Sequence, residues 1–235
     1  MSLLLLSNST GPDGAFLTHT TPWIREALGP ARRIAFVPYA SVTASYKATA
    51  ARVAGALAGL GLEVESVHTA VDPAVAVAEA DAVLVCGGNT FALLRAMQAA
   101  GLIEAIRARV AAGAPYVGWS AGANVASPTI RTTNDMPVVE PAGFGALGLV
   151  PFQINPHYTD AHPPGHRGET RAQRLAEFVA VNPDVPVVGL PEGTALRTDG
   201  PRLALLGADA VPVFDAASPG GAPVAAADLA TRLGW

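Results

Sequence analysis

A single cysteine, Cys86, among 235 residues excludes an internal disulfide and supplies no thiolate cluster for a metal. The expectation is a reducing, cytoplasmic setting and no bound metal. Charge is scarce as well: 14% of residues are charged, the formal net charge is −4, and like charges never gather in a block. A phosphate-binding surface needs a basic patch, so nucleic acid is not an expected partner. Long apolar runs are missing too. The opening Met1-Ser-Leu-Leu-Leu-Leu-Ser-Asn has no basic flank, and its run of Leu3–Leu6 is too short for a signal peptide or a membrane span. It reads as a buried strand, with no membrane association. Neither an internal repeat nor a long linker divides the chain, so one domain over residues 1–235 is expected.

What is present is an apolar half: 50% of residues are hydrophobic, ample for a core. Short apolar runs ending in Gly, Pro, Ser or Asn alternate with Ala/Leu/Arg-rich stretches at helical spacing, the pattern of βαβ units. Strands are expected at Leu3–Leu6, Arg33–Pro38, Glu63–Val67, Ala82–Cys86, Pro115–Gly118, Gln153–Asn155 and Val187–Leu190. Helices are expected near Pro22–Leu28, Ser45–Leu60, Thr90–Ala99, Leu102–Ala112, Gly122–Ser127 and Thr170–Val181. After Leu190 the turn signals Thr198-Asp-Gly-Pro and Pro219-Gly-Gly predict hairpin-like pieces, with Leu203–Leu206 and Val211–Phe214 in an antiparallel edge or cap. The fold class is therefore α/β: a largely parallel central sheet flanked by helices, with a small antiparallel C-terminal part.

Ligands of open α/β sheets gather at the carboxyl ends of strands. There the sequence places Gly118-Trp-Ser-Ala-Gly, a G-x-S-x-G elbow between an expected strand and a small-residue helix. Ser120 is the candidate nucleophile, against the plainer reading of a serine that caps the next helix. The N–H of Ala121 would point at the substrate carbonyl as an oxyanion donor. An exposed serine needs a base within hydrogen-bond reach. His157 is the histidine that directly follows an expected strand and is the leading candidate. His19 and His68 sit near other turns, and His162 and His166 in the Pro/Gly-rich stretch 161–168. Two acids compete to orient the imidazole, Asp135 and Glu192, and the sequence alone does not choose between them.

Cys86-Gly-Gly-Asn-Thr follows another expected strand and opens a helix, which makes Gly88 the second candidate oxyanion donor. It is neither G-x-G-x-x-G nor G-x-x-x-x-G-K-[ST], so the competing reading as a phosphate cradle has little support. Arg171 lies in the first turn of a predicted helix, where a cation opposes the helix dipole. A guanidinium can grip a carboxylate by two parallel hydrogen bonds, which recognition of an acidic side chain requires.

These segments together resemble the peptidase E (aspartyl dipeptidase) family of serine peptidases. The resemblance runs through Leu4-Leu-Leu-Ser-Asn-Ser-Thr, Gly87-Gly-Asn-Thr-Phe, Gly118-Trp-Ser-Ala-Gly-Ala-Asn, Thr129-Ile-Arg-Thr-Thr-Asn-Asp-Met-Pro, Gln153-Ile-Asn-Pro-His, Gly168-Glu-Thr-Arg and Gly189-Leu-Pro-Glu-Gly. It implies a fold related to class I glutamine amidotransferases, with Ser120 where a cysteine usually stands, and neither metal nor cofactor. It further implies Ser120 as nucleophile, His157 as base, Gly88 and Ala121 as the oxyanion hole, and Arg171 helped by Asn89 as the holder of the substrate carboxylate. Glu192 is preferred as third member, with Asp135 retained. The implied substrate is a small peptide with an N-terminal Asp, handled by a monomer or homodimer. Alternatives are a cyanophycinase-like peptidase or esterase of the same fold, or a non-catalytic phosphate- or nucleotide-binding module.

Overall fold

The computed structural model describes residues 1–161, 164–165 and 167–235. His162 and His166 lie outside the described residues.

In chain order the elements are β1 (Ser2–Leu6), α1 (Thr21–Leu28), β2 (Arg33–Val37), α2 (Tyr46–Ala56), β3 (Glu63–Ser66), α3 (Pro73–Glu79) and β4 (Ala82–Val85). There follow α4 (Thr90–Ala99), α5 (Leu102–Ala111), β5 (Tyr116–Trp119), α6 (Ala121–Asn124), β6 (Gln153–Asn155), α7 (Arg171–Val181) and β7 (Val187–Gly189). The chain closes with β8 (Ala195–Asp199), β9 (Arg202–Leu206), β10 (Ala210–Asp215), β11 (Ser218–Ala225) and α8 (Leu229–Leu233).

A seven-stranded sheet has the order β3-β2-β4-β5-β1-β8-β9. Its first five strands are parallel, and β8 and β9 extend it antiparallel from β1. Parallel strands covered on both faces carry unbroken apolar runs. Accordingly Leu3–Leu6 of β1 and Ala82–Val85 of β4 are fully buried, whereas the edge strand β3 alternates between exposed and half-buried residues. Around this sheet α1 packs on β1 and β5, α2 on β3, α3 on α5, and α4 on α5 and α6.

Four of the eleven strands among the described residues stand apart in a second sheet of order β11-β10-β7-β6, in which β6 and β7 run parallel and the rest antiparallel. The stretches expected at Gln153–Asn155 and Val187–Leu190 are therefore strands, but not of the central sheet. Helix α7 packs on β10 and β11. It buries Leu175 and Val179 with Val187 and Phe214 in a cluster of its own.

The C-terminal expectation needs correcting in detail. Thr198-Asp-Gly-Pro does turn the chain, but it joins β8 to β9, with Gly200 at φ 56°. Leu203–Leu206 and Val211–Phe214 fall in different sheets and do not pair as a hairpin. Pro219-Gly-Gly is no turn: it lies inside β11, an edge strand, where a proline costs no ladder hydrogen bond. Among the described residues no helix is long and apolar enough to cross a membrane.

Candidate active site

The carboxyl ends of β4, β5, β6 and β7, and the segment after β1, supply the groups that converge. The elbow comes first. Ser120 sits between β5 and α6 at φ 53°, ψ −113°, a backbone conformation rarely adopted by an L residue. Four hydrogen bonds stabilise this turn. The Ser120 N–H donates to the Leu6 carbonyl at 3.0 Å, its carbonyl accepts from Ala123 and Asn124 N–H, and the buried Tyr116 hydroxyl donates to the Gly122 carbonyl at 2.7 Å.

The glycines of the elbow are sterically required. A Cβ on Gly118 would run into the Gly122 carbonyl, and one on Gly122 into the Val85 carbonyl. The cramped turn leaves room only for hydrogen, which is why the sequence reads Gly-x-Ser-x-Gly here.

His157 follows β6 and likewise has a positive φ, 52°. Its Nε2 lies 2.9 Å from Ser120 Oγ, and its Nδ1 lies 2.8 Å from Glu192 Oε1. An ionised carboxylate can only accept a hydrogen bond, so Glu192 keeps the ring proton on Nδ1 and leaves Nε2 free to accept from the serine hydroxyl. The chain is solvent-accessible, with 39% of the His157 and 66% of the Glu192 side-chain surface exposed.

Two residues after β1, part of the Leu4-Leu-Leu-Ser-Asn-Ser-Thr stretch to which the sequence assigns no role, hold this arrangement. Ser7 Oγ accepts from the His157 N–H at 2.9 Å and donates to the Leu190 carbonyl at 2.8 Å. Asn8 Oδ1 accepts from the Gly193 N–H at 2.7 Å, beside Glu192. The hints in the sequence were their position directly after a strand and their place in that motif.

Asp135 is not on the histidine, which corrects its candidacy as the orienting acid. Its Oδ2 accepts from the Thr90 N–H at 2.7 Å and the Thr90 hydroxyl at 2.6 Å, with Thr133 Oγ1 at 3.2 Å. A carboxylate at the first turn of α4 is well placed for the N–H groups and dipole of that helix. Asn89 has partners of its own within the protein. Its Oδ1 caps α4 by accepting from the Ala92 N–H, and its Nδ2 donates to the Met136 carbonyl at 2.8 Å. Both polar ends of that side chain make bonds within the protein, and the second N–H of the amide carries none of them.

The glycine pair lies against the elbow. A Cβ on Gly87 would approach Ser120 Cβ to 2.9 Å, and one on Gly88, at φ 139°, would strike the Ala40 carbonyl. The backbone of this loop thus runs alongside the serine. Ala121, the other expected donor, is the first residue of α6, where N–H groups have no partner within the helix.

Arg171 opens α7, and its Nη1 donates to the His157 carbonyl at 3.0 Å and to Asn155 Oδ1 at 3.4 Å. Burial first, then the neighbouring Arg174, lowers its pKa, with Tyr158 opposing. Among the described residues no carboxylate forms an ion pair with it. His19 and His68 stand elsewhere, the latter bonded to Ser66 Oγ. Among the described residues no three His, Cys, Asp or Glu side chains gather as a metal site would need.

Comparison with known proteins adds a family context. The family model described as peptidase family S51 matches residues 3–206. Peptidase E of Citrobacter koseri (strain ATCC BAA-895) is 50% identical over 216 residues, spanning 92% of this chain and 94% of its own. Peptidase E of Escherichia coli O6:K15:H31 (strain 536) has the same identity and coverage. In structure, a peptidase E-like protein from Listeria monocytogenes EGD-e superposes with a TM-score of 0.65 at 25% identity, covering 88% of this chain and 98% of that one. A peptidase from an acI-B1 Actinobacterium has the same fold, with a TM-score of 0.67 at 18% identity over 96% of this chain and 94% of its own.

Proposed function

Because the chain belongs to peptidase family S51 and is a peptidase, we propose that it is a serine dipeptidase that hydrolyses Asp-X dipeptides through an acyl-enzyme on Ser120. The observation that carries this reading is the continuous hydrogen-bonded line Ser120 Oγ, His157 Nε2, His157 Nδ1, Glu192 Oε1, with spacings of 2.9 and 2.8 Å. Nucleophile, base and orienting acid each stand within the reach that proton transfer requires.

Ser120 Oγ attacks the aspartyl carbonyl carbon as its proton passes to His157 Nε2. The imidazolium so formed is stabilised by Glu192. Negative charge then develops on the carbonyl oxygen, and the N–H groups of Gly88 and Ala121 are the donors for it. Collapse expels the amine of residue X, which takes the proton from His157, and leaves an ester on Ser120. Water, deprotonated by His157, attacks that ester and releases free aspartate with the serine hydroxyl restored.

Selection of aspartate follows from Arg171. A half-buried guanidinium without an acidic partner among the described residues, bonded to the carbonyl of the base itself, supports a salt bridge with the substrate side chain. A glutamate, one methylene longer, and an uncharged asparagine would both fit worse.

The test is a time course with Asp-Leu, Asp-Ala-Leu, Glu-Leu and Asn-Leu, run beside a β-linked aspartyl peptide and a nitrophenyl ester. Asp-Leu should be cleaved fastest, and Ser120→Ala should abolish turnover while leaving the melting temperature near that of the parent. Full activity in Ser120→Ala, or a marked preference for the ester or the β-linked peptide, would overturn the proposal. Arg171→Ala should lower kcat/KM for Asp-Leu by about 10²-fold, the scale of a lost charge-assisted pair of hydrogen bonds.

A further inference from the structure

Between α6 and β6 the chain runs through residues 125–152 without a helix or a multi-residue strand. So long an irregular connection in a compact protein is uncommon and generally functional. Part of it, Thr132–Met136, contacts both sides of the site. On one side Asp135 Oδ2 takes the Thr90 N–H and hydroxyl at 2.7 and 2.6 Å, and the Met136 carbonyl takes Asn89 Nδ2 at 2.8 Å. These two residues directly follow Gly88. On the other side Asn134 Nδ2 donates to the Pro156 carbonyl at 2.7 Å, next to His157. Asn134 Oδ1 accepts from Asn155 Nδ2 at 2.7 Å, and Asn155 Oδ1 in turn accepts from Arg171.

Asn134 and Asp135 are neighbours in sequence, yet they reach opposite halves of the site. We propose that Thr132–Met136 is a positioning strap: Asp135 fixes the Gly88 donor loop, and Asn134 fixes the base and the carboxylate-binding Arg171 relative to that loop. The inference rests on the reaction assigned above, and it gives Asp135 a role other than orienting the imidazole. The physical need is clear. The donor follows β4 in one sheet and the base follows β6 in the other, so nothing in either ladder sets the distance between them. Misplacement by about 1 Å can cost about 10²-fold in rate.

The experiment compares kcat, KM and the pH profile of kcat/KM on Asp-Leu for the parent enzyme and its Asp135→Ala, Asp135→Asn and Asn134→Ala variants. Asp135→Ala should lower kcat about 10- to 100-fold with KM within about threefold, since the donors act on the transition state. Asp135→Asn keeps an acceptor oxygen for Thr90 and should recover most of the loss. The acid limb of the profile should stay where the parent has it in both, and move in Glu192→Gln. Asn134→Ala should raise KM through Arg171.

The strap is overturned if Asp135→Ala keeps parental kcat, if Asp135→Asn is no better than Asp135→Ala, if its acid limb moves as in Glu192→Gln, or if Asn134→Ala is unchanged in both constants. Should Asp135→Ala lose its cooperative melting transition, Thr90→Val removes only the hydroxyl contact and should still slow turnover, with Thr90→Ser restoring it. A parent enzyme inert on Asp-Leu sinks the assigned reaction and the strap with it. An active parent with unimpaired strap variants sinks the strap alone.

Discussion

Ser120 and His157 are two of the three non-glycine residues with positive φ among those described, Leu17 being the third. Such backbone conformations each cost on the order of 1–3 kcal/mol and persist only where the surroundings over-determine them. At Ser120 the surroundings are the Leu6 carbonyl, the Tyr116 hydroxyl and glycines that admit no side chain. Cys86 lies close by and plays no comparable part. Burial pushes its thiol up to about 12. A group raised that far is protonated throughout the neutral range, and the thiolate is the reactive form. Iodoacetamide at pH 8 should therefore neither alkylate the native protein nor reduce its activity, while a fluorophosphonate should label Ser120. Mass spectrometry of both treated samples checks this, and rapid loss of activity with iodoacetamide would contradict it.

At the scale of elements, the most consequential local feature is the start of α7. Thr170 and Gln173 form a reciprocal capping box, Thr170 Oγ1 accepting from the Gln173 N–H and Gln173 Oε1 from the Thr170 N–H. This box fixes the first turn from which Arg171 projects. Thr170→Ala should lower stability by about 1 kcal/mol and raise KM for Asp-Leu more than it lowers kcat. Denaturant melts and steady-state kinetics measure the two effects separately. Ala/Leu/Arg-rich spacing made this helix and α4 legible from sequence, and the caps at Thr170 and Asn89 are what the structure adds. Helix α3 was not expected. Its Asp72 cap and Pro73 are good start signals, but Pro-Ala-Val-Ala-Val alternates with period two and hides a seven-residue helix. Strand β11 was missed for the opposite reason, because Ser-Pro-Gly-Gly-Ala-Pro reads as a turn unless the segment is known to lie at a sheet edge.

At the scale of the molecule, the groups of the proposed triad are divided between two sheets. Ser120 follows β5 of the larger one, whereas His157 and Glu192 follow β6 and β7 of the smaller. Ser7, at the end of β1, joins them by bonding both to the His157 N–H and to the Leu190 carbonyl. Removing its hydroxyl leaves a part-buried N–H without its partner, at a cost of about 1–3 kcal/mol. Ser7→Ala should accordingly lower the melting temperature and reduce kcat together, and Ser7→Thr should restore part of both. Thermal melts with matched kinetics would reveal a purely local role if stability fell and kcat did not.

The sequence by itself determined the parallel core, the Gly-x-Ser-x-Gly elbow, the histidine after β6 and the arginine at the head of α7. Each of these is a local matter of apolar runs, small residues in a sharp turn, or helical spacing. Only the tertiary structure decided that Glu192 and not Asp135 meets the imidazole, that Asn89 bonds to the Met136 carbonyl, and that β6 and β7 form a sheet of their own. Those outcomes depend on which strand ends face one another across two sheets, and no spacing along the chain encodes the direction in which a carboxylate finally points.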